Sequence, residues 1–395
     1  MNDLYLHRDA DRRLRGGHLW VYSNEVDGAR NPLGNFSPGD RVLVRDSGGN
    51  VLGSAYMDPH SLICGRLYAP GEHRALDEAF CNERLQQALA LREAAFDQPF
   101  YRLVYGDSDG LPGVVVDRFA EYLVLQLNNA GIECAREALV AALGDLLRPA
   151  GILLRRDIRG RREQQDEPGE TSLELSGAVP DEVPLTENGA AFLVPVRHGQ
   201  KTGWFYDHRL SRARLAQWAP GRRLLDVYSY TGAWGIQAAV AGAAEVVCVD
   251  SSASALAGVE ANAALNKVES RVRCRRGQAA QVMEALAQEG ATFDIVVLDP
   301  PAFVQRKKDL KKGIAAYRRI VELALRLVRP GGLLVSASCS MHLSRADLIA
   351  CAQRAAVRAG CNLQIIEQGG QGPDHPVHPA IPETEYLKTL FLRRV

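Results

Sequence analysis

The chain has 395 residues, 46% hydrophobic and 24% charged, with a formal net charge of zero. This is the composition of an ordinary globular protein, long enough for two or three domains with ample cores. No apolar run approaches the roughly eighteen residues of a membrane helix, and the charged start MNDLYLHRDADRRLRGG lacks a secretory leader's apolar stretch, so a cytoplasmic location is expected.

RVLVRDSGGNVLGSAYM alternates around a Gly-Gly-Asn turn, which is a hairpin signal, and SLICGRLY reads as a third strand. Residues 1–72 therefore predict a small β-barrel-like module. Pro70-Gly71 breaks the chain, and EAFCNERLQQALALREAAF follows as an amphipathic helix. Residues 73–185 then read as two strands (GVVVDRF, YLVLQLN), a helix (IECAREALVAALGDLL) and two more strands (GILLRRD, TSLELSG), a compact α+β unit.

From residue 186 the texture becomes β-α alternation. The apolar strands RLLDVYS, EVVCVD, DIVVLDPP and GLLVSASCS are each followed by a helical stretch. Such a pattern predicts an α/β fold with a doubly wound, mostly parallel sheet. EYLKTLFLRRV closes the chain after a Gly/Pro/His-rich loop, which fits an antiparallel edge.

In open α/β sheets, ligands bind outside the carboxyl ends of the strands. At the first such end, LLDVYSYTGAWG, Asp226 closes the strand and Gly232 and Gly235 open a helix. Small residues there let a ligand approach the backbone, and the helix start supplies donors. A tight strand-to-helix turn is the plainer alternative, and the stretch is a poor match to a dinucleotide fingerprint. At the second end, Asp250 lies 24 residues after Asp226, where a βαβ unit places a carboxylate to bind ribose hydroxyls. A helix cap is the alternative role. The third end puts Gln278 where an adenine amino group could be read, a merely solvated loop glutamine being the alternative.

The fourth end, VVLDPPAF, stiffens its turn with two prolines that lack backbone donors. That projects Asp299 into the crevice, with Phe303 nearby as a candidate stacking surface. A structural turn is the alternative, but Asp-Pro-Pro at a strand's carboxyl end points to acting on a base. The fifth end, SASCS, carries Cys339 beside the Asp299 strand. A cysteine in an apolar strand ordinarily packs. The tip position, the small flanking residues and the Asp-bearing neighbour favour a nucleophile, which needs access and a reason to ionise.

The other cysteines, at 64, 81, 134, 248, 274, 351 and 361, form no C-x-x-C pair and no cluster with histidine. This argues against a zinc site or disulfides and predicts mostly small buried thiols. Charge is uneven despite the neutral sum. Residues 163–187 carry eight acidic and no basic side chains, while 301–330 carry nine Lys or Arg against two Asp or Glu. Arg12, Arg13 and Arg15 form one further basic cluster, and Arg155, Arg156, Arg159, Arg161 and Arg162 another. Singly each reads as a solvated face; together they favour a polyanionic partner.

These motifs resemble class I S-adenosylmethionine-dependent methyltransferases, and more closely the RlmI family of bacterial large-subunit (23S) rRNA cytosine-5 methyltransferases. The likeness runs over essentially the whole chain. RRLRGGHLWVYSNEV with its hairpin looks like the family's PUA RNA-binding domain, and the middle like its central α+β domain. VYGDSDGLPGVVVDRF, GQKTGWFYDHR, DVYSYTGAWG, LDPPAF and SCS look like family motifs. The resemblance implies a PUA domain over 1–72, a central domain over 73–185 and a Rossmann-like methyltransferase domain over 186–395.

By resemblance the cofactor is S-adenosylmethionine. Asp226, Tyr228, Thr231 and Gly232 would lie near its methionine part, and Asp250 at its ribose with Ser251 alongside. Gln278 would face its adenine where related enzymes often carry an acid. Phe205, Asp207, Arg209 and Asp299 would line the same pocket. The implied reaction begins with Cys339 adding to carbon 6 of cytosine, because carbon 5 is otherwise a poor nucleophile. A protonated Asp299 near N3 would neutralise the charge that builds on the ring. The other cytosine-5 group has a second cysteine after its Pro-Pro pair, where Ala302 stands here. The base would be unstacked, with Arg306-Lys307-Lys308 and Lys311-Lys312 holding the RNA backbone. The implied partner is RNA, with no membrane and with a homodimer left open. Two alternatives also stay open: methylation of a guanine or adenine amino group without a covalent adduct, and a non-catalytic RNA-binding protein of the same fold.

Overall fold

A computed structural model describes residues 1–156 and 172–395. Arg159, Arg161, Arg162 and much of the acidic stretch lie outside the described residues. The chain divides into two compact units. One holds Met1–Val183, Pro195–Tyr206 and Pro373–Thr384, the other Pro184–Val194, Asp207–Gly372 and Glu385–Val395.

In the first unit, β1 (Asn2–Tyr5), α1 (Arg12–Arg15), β2 (Trp20–Tyr22), β3 (Arg41–Arg45), β4 (Val51–Met57) and β5 (Ile63–Pro70) come first. Their five-stranded sheet has the order β1-β3-β4-β5-β2. The expected hairpin is β3–β4, and Asp46 holds its turn by accepting from the backbone of Gly48 and Asn50. The two short outer strands go beyond the sequence reading.

The second sheet of this unit contains β6 (Phe100–Tyr105), β7 (Val114–Phe119), β8 (Tyr122–Leu127), β9 (Gly151–Arg155) and β10 (Ser172–Gly177). It is accompanied by α2 (Glu78–Ala95), α3 (Ala130–Glu133) and α4 (Arg136–Leu147). Asp77 caps α2 by accepting from the Phe80 amide, and α2 buries Phe80 and Leu85 against Leu103, Val116 and Leu139. The strand order is β10-β9-β8-β7-β6. Strand β6 corrects the strand-strand-helix-strand-strand expectation. Its FYRLVY pattern is interrupted by Arg102, which sits opposite Asp117 on β7 and pairs with it at 2.8 Å. The cross-strand carboxylate lets a partly buried arginine occupy a strand.

Toward the second unit, β11 (Glu182–Glu187) and β12 (Ala190–Pro195) form a hairpin. Asn188 and Gly189 turn it with φ of 52° and 82°, the positive pair that a two-residue hairpin favours. Then follow α5 (Arg209–Ala216), β13 (Arg223–Val227), α6 (Ala233–Val240), β14 (Glu245–Asp250), α7 (Ala253–Leu265), β15 (Val272–Arg276) and α8 (Ala279–Gln288). The chain continues through β16 (Phe293–Leu298), α9 (Leu310–Leu327), β17 (Val328–Ser338), α10 (Arg345–Arg358), β18 (Leu363–Gly369) and β19 (Lys388–Arg394).

The seven-stranded sheet has the order β15-β14-β13-β16-β17-β19-β18. Its first five strands are parallel, and β19 runs antiparallel to both β17 and β18. The doubly wound α/β sheet with an antiparallel end is thus present. The last strand inserts rather than taking the edge, which falls to β18, whose Ile365 and Ile366 remain exposed. Leu225, Val247, Val296 and Leu334 pack with Tyr317, Ile320 and Val321 of α9 in the core. The strand order reverses between β13 and β16, so their carboxyl ends open a crevice at that switch point. No described helix is long and apolar enough to cross a membrane.

Candidate active site

The loop after β13 is built for close approach. Tyr228, Tyr230 and Gly232 all have positive φ (69°, 49° and 86°), a conformation that side-chain-bearing residues hold only when their surroundings enforce it. Here the Tyr228 and Ser229 amides both donate to the Val249 carbonyl, at 2.9 and 3.0 Å. A Cβ on Gly235 would come within 2.9 Å of Val246 Cγ1, so α6 lies directly on the sheet. Asp226 is fully buried, and its Oδ2 accepts from the Gly235 amide at 2.9 Å. Burial, with the charges of Asp299 and Asp250 adding to it, pushes the Asp226 carboxyl up to about 7.

Asp250 ties two loops together. Its Oδ2 accepts from the Tyr230 amide at 3.0 Å and its Oδ1 from the Ser252 amide at 2.9 Å. Ser252 in turn caps α7. Each Asp250 oxygen keeps a further lone pair for a ligand hydroxyl. Ser251 is exposed next to it, and Gln278 is exposed at the start of α8.

A donor and acceptor set for a polar ligand is therefore present. Asp226 Oδ1 and Thr231 Oγ1 are buried without a hydrogen-bond partner, a costly state that a bound ligand relieves. Gly232 starts α6 in the left-handed region. These features fit the cofactor that the sequence resemblance implies.

Asp299 follows β16 and is locked from two sides. Its Oδ2 accepts from Trp234 Nε1 at 3.0 Å, and its Oδ1 lies 3.2 Å from His208 Nε2. The His208 and Trp234 rings meet edge-on at 5.4 Å. Burial alone would raise the Asp299 carboxyl, but the His208 charge and the two hydrogen bonds hold it below its ordinary value. Burial likewise pushes the His208 imidazole down, and Asp299 more than reverses this, leaving it raised. Both shifts favour a carboxylate beside an imidazolium.

The residues of WFYDHR divide. Phe205 belongs to the first unit, with the Lys201 ammonium 5.0 Å from its ring centroid. Asp207 is buried in the second unit and accepts from the Tyr386 hydroxyl. Arg209 pairs with Glu187 at 3.3 Å, and Glu187 also takes Arg212 at 2.6 Å and Gln237 at 2.9 Å. This buried cluster anchors α5 and so sets the position of His208.

Strands β16 and β17 are parallel neighbours with Leu298 opposite Ser336, so the Asp299 and Cys339 tips lie side by side as expected. Cys339 is half-buried. The serines flanking it are buried and tied to Tyr317. Ser338 Oγ donates to the Tyr317 hydroxyl at 2.9 Å, and Ser340 Oγ lies 3.0 Å from it. Phe303 packs on Tyr317 with ring centroids 4.9 Å apart, so it braces the clamp. Lys388 of β19 donates to the Ser340 carbonyl at 2.7 Å. Cys64, Cys81, Cys248 and Cys351 are buried, and burial pushes the first two thiols up to about 12.

His208, Trp234, Tyr317 and Lys388 were not singled out from sequence. His208 sits inside a stretch already noticed, between the Asp207 and Arg209 that drew attention. The other three take their places only through strand register and helix packing.

A family model described as S-adenosylmethionine-dependent methyltransferase matches residues 158–393, and one described as PUA-like domain matches residues 4–70. Proteins named ribosomal RNA large subunit methyltransferase I match at 37% identity: that of Yersinia pseudotuberculosis over 99% of this chain and 98% of its own, and that of Cronobacter sakazakii over 98% and 97%. The chain belongs to the S-adenosylmethionine-dependent methyltransferases, in the ribosomal RNA large subunit methyltransferase I family. Its fold agrees. A Streptococcus mutans protein described as a SAM-dependent methyltransferase superposes with a TM-score of 0.84 at 21% identity over the whole of both chains. A methyltransferase structure in complex with SAH superposes with a TM-score of 0.85 at 20% identity, again over both whole chains. S-adenosylmethionine is accordingly the cofactor of this methyltransferase.

Proposed function

We propose that this methyltransferase transfers a methyl group to carbon 5 of a cytosine in large-subunit rRNA through a covalent Cys339 adduct, in the cytoplasm. The relatives' name supports the rRNA substrate. The observation that carries the chemistry is the pairing of two strand tips at one crevice, one bearing Cys339 and the other Asp299. We further propose three functional parts: a PUA domain over 1–72, a central domain over 73–185 and a methyltransferase domain over 186–395.

In this reading Asp226, Tyr228, Thr231 and Gly232 hold the methionine part of the cofactor, with Asp250 and Ser251 at its ribose and Gln278 at its adenine. S-adenosylmethionine, when bound, supplies an electrophilic methyl group. Cys339 Sγ forms a bond to carbon 6 of the ring. The charge that builds at N3 is met by the proton of the His208–Asp299 pair. Carbon 5, now enamine-like, would take the methyl group as its bond to the cofactor's sulfonium sulfur breaks, leaving a neutral thioether. Loss of the carbon 5 proton to a base then breaks the carbon 6–sulfur bond, frees the thiolate and returns the N3 proton. Arg306, Lys307, Lys308, Lys311 and Lys312 are exposed at and just before the start of α9, suited to phosphates.

Mass spectrometry of rRNA from cells lacking the gene tests the product. Loss of one 5-methylcytosine from the large subunit is expected. An unchanged 5-methylcytosine pattern, or loss of a methylated purine instead, would overturn the reading.

A further inference from the structure

We infer that Lys388 is the positioning residue for the Cys339 thiolate: its ammonium, pinned at the tip of β17, supplies the positive charge that keeps the thiol ionised and in place before RNA arrives. This rests on Cys339 being the nucleophile of the proposed reaction.

Lys388 opens β19 and sits opposite Ser338 in the antiparallel register. It is only 5% exposed. Among the described residues no carboxylate lies within ion-pair distance of it. Its Nζ instead donates to the Ser340 and Tyr386 carbonyls, both at 2.7 Å. The first of these carbonyls belongs to the residue directly after Cys339, so the ammonium is tethered to the cysteine's own backbone. A buried ammonium without a carboxylate is costly, and a thiolate at Cys339 is the anion at hand to compensate it.

The charged and titratable groups around Lys388 agree with this. Burial, and then the Arg345 cation from α10, push Lys388 down to about 8, while Cys339 and Glu385 oppose that shift. Glu385 is drawn toward Arg345, 3.8 Å away. Tyr317 of α9 is engaged by Ser338 and Ser340, and Tyr386 offers Lys388 its carbonyl. Coupling between two ionisable groups is reciprocal: a thiolate that favours the ammonium is favoured by it in turn. On ionisation the thiol proton passes to solvent, and nothing else is exchanged. The buried Cys64 thiol shows the opposite setting: burial, with Glu25 and Asp58 adding to it, drives it up to about 12.

The test is the pH dependence of Cys339 alkylation by iodoacetamide, followed by peptide mass spectrometry so that the other thiols do not interfere. In the native protein the half-maximal rate is expected at a pH below the free-thiol value of about 8.5. Lys388→Met should move that midpoint upward and slow alkylation at neutral pH about tenfold, and Lys388→Arg should recover part of the loss. Folding of each variant is checked by S-adenosylmethionine affinity. A native profile matching an ordinary thiol overturns the inference, whether or not the variants fold. So does an unchanged profile in a folded Lys388→Met protein. RNA containing 5-fluorocytosine, which blocks loss of the carbon 5 substituent, separates the two claims. An activated thiol that traps no such RNA defeats Cys339 as nucleophile and with it the catalytic meaning of Lys388. A trapped adduct with an ordinary thiol profile leaves the nucleophile standing and removes Lys388 from the account.

Discussion

His208 Nε2 lies 3.2 Å from Asp299 Oδ1, and Trp234 Nε1 holds the other oxygen of the same carboxylate. The two partners aim Asp299, and the pairing holds its carboxyl below its ordinary value and the imidazole above its own. His208→Gln should keep the fold and cofactor binding but lower single-turnover methylation about 10²–10⁴-fold, the usual share of acid-base catalysis. Unchanged turnover would remove His208 from the proton path.

The same pair has a pH signature. Asp299 is lowered, so its contribution to stability is present above the ordinary carboxylate value and is lost as pH falls through the depressed one. His208 is raised, so its contribution is present below the ordinary imidazole value and is lost as pH rises through the raised one. The stability difference between native protein and His208→Gln should therefore be largest between about pH 4 and 6.5. Urea midpoints across pH check this, and a flat difference contradicts it.

Asp226 behaves in the opposite sense. Its carboxyl is raised to about 7, so ionising it weighs against the ligand-free fold as pH climbs from about 4 toward that value. Asp226→Asn should gain stability relative to the native protein over this range, by about 1 kcal/mol or more. It should also bind S-adenosylmethionine more weakly. Thermal melts and calorimetry at several pH values measure both effects.

Glu187 is buried with Arg209, Arg212 and Gln237 around it. Glu187→Gln removes the carboxylate charge that both guanidinium groups pair with, and removing one partner of a buried pair costs about 3–5 kcal/mol. Denaturant titration should show that loss. A cost under about 1 kcal/mol would mean that water already reaches the cluster.

Much of this architecture is legible in the sequence because parallel strands buried on both faces leave continuous apolar runs. Asp226, Asp250 and Asp299 announce themselves by closing such runs. Strand β6 escapes because Arg102 interrupts its pattern, and the Asp117 that pairs with it across the sheet is distant in sequence. Lys388 reads as one charge in an apolar strand, and its place beside Cys339 depends on an antiparallel register that local periodicity does not encode. The pairing of Asp299 with His208 is hidden for a similar reason: the two are adjacent in space but far apart along the chain.

The central claim is that Cys339 forms a covalent bond to the target base. Methyl transfer to large-subunit rRNA by Cys339→Ala, set beside its S-adenosylmethionine affinity, tests this most directly. The account predicts an unchanged affinity and no 5-methylcytosine formed. Methylation that persists in Cys339→Ala would contradict it and point to a mechanism without a nucleophile.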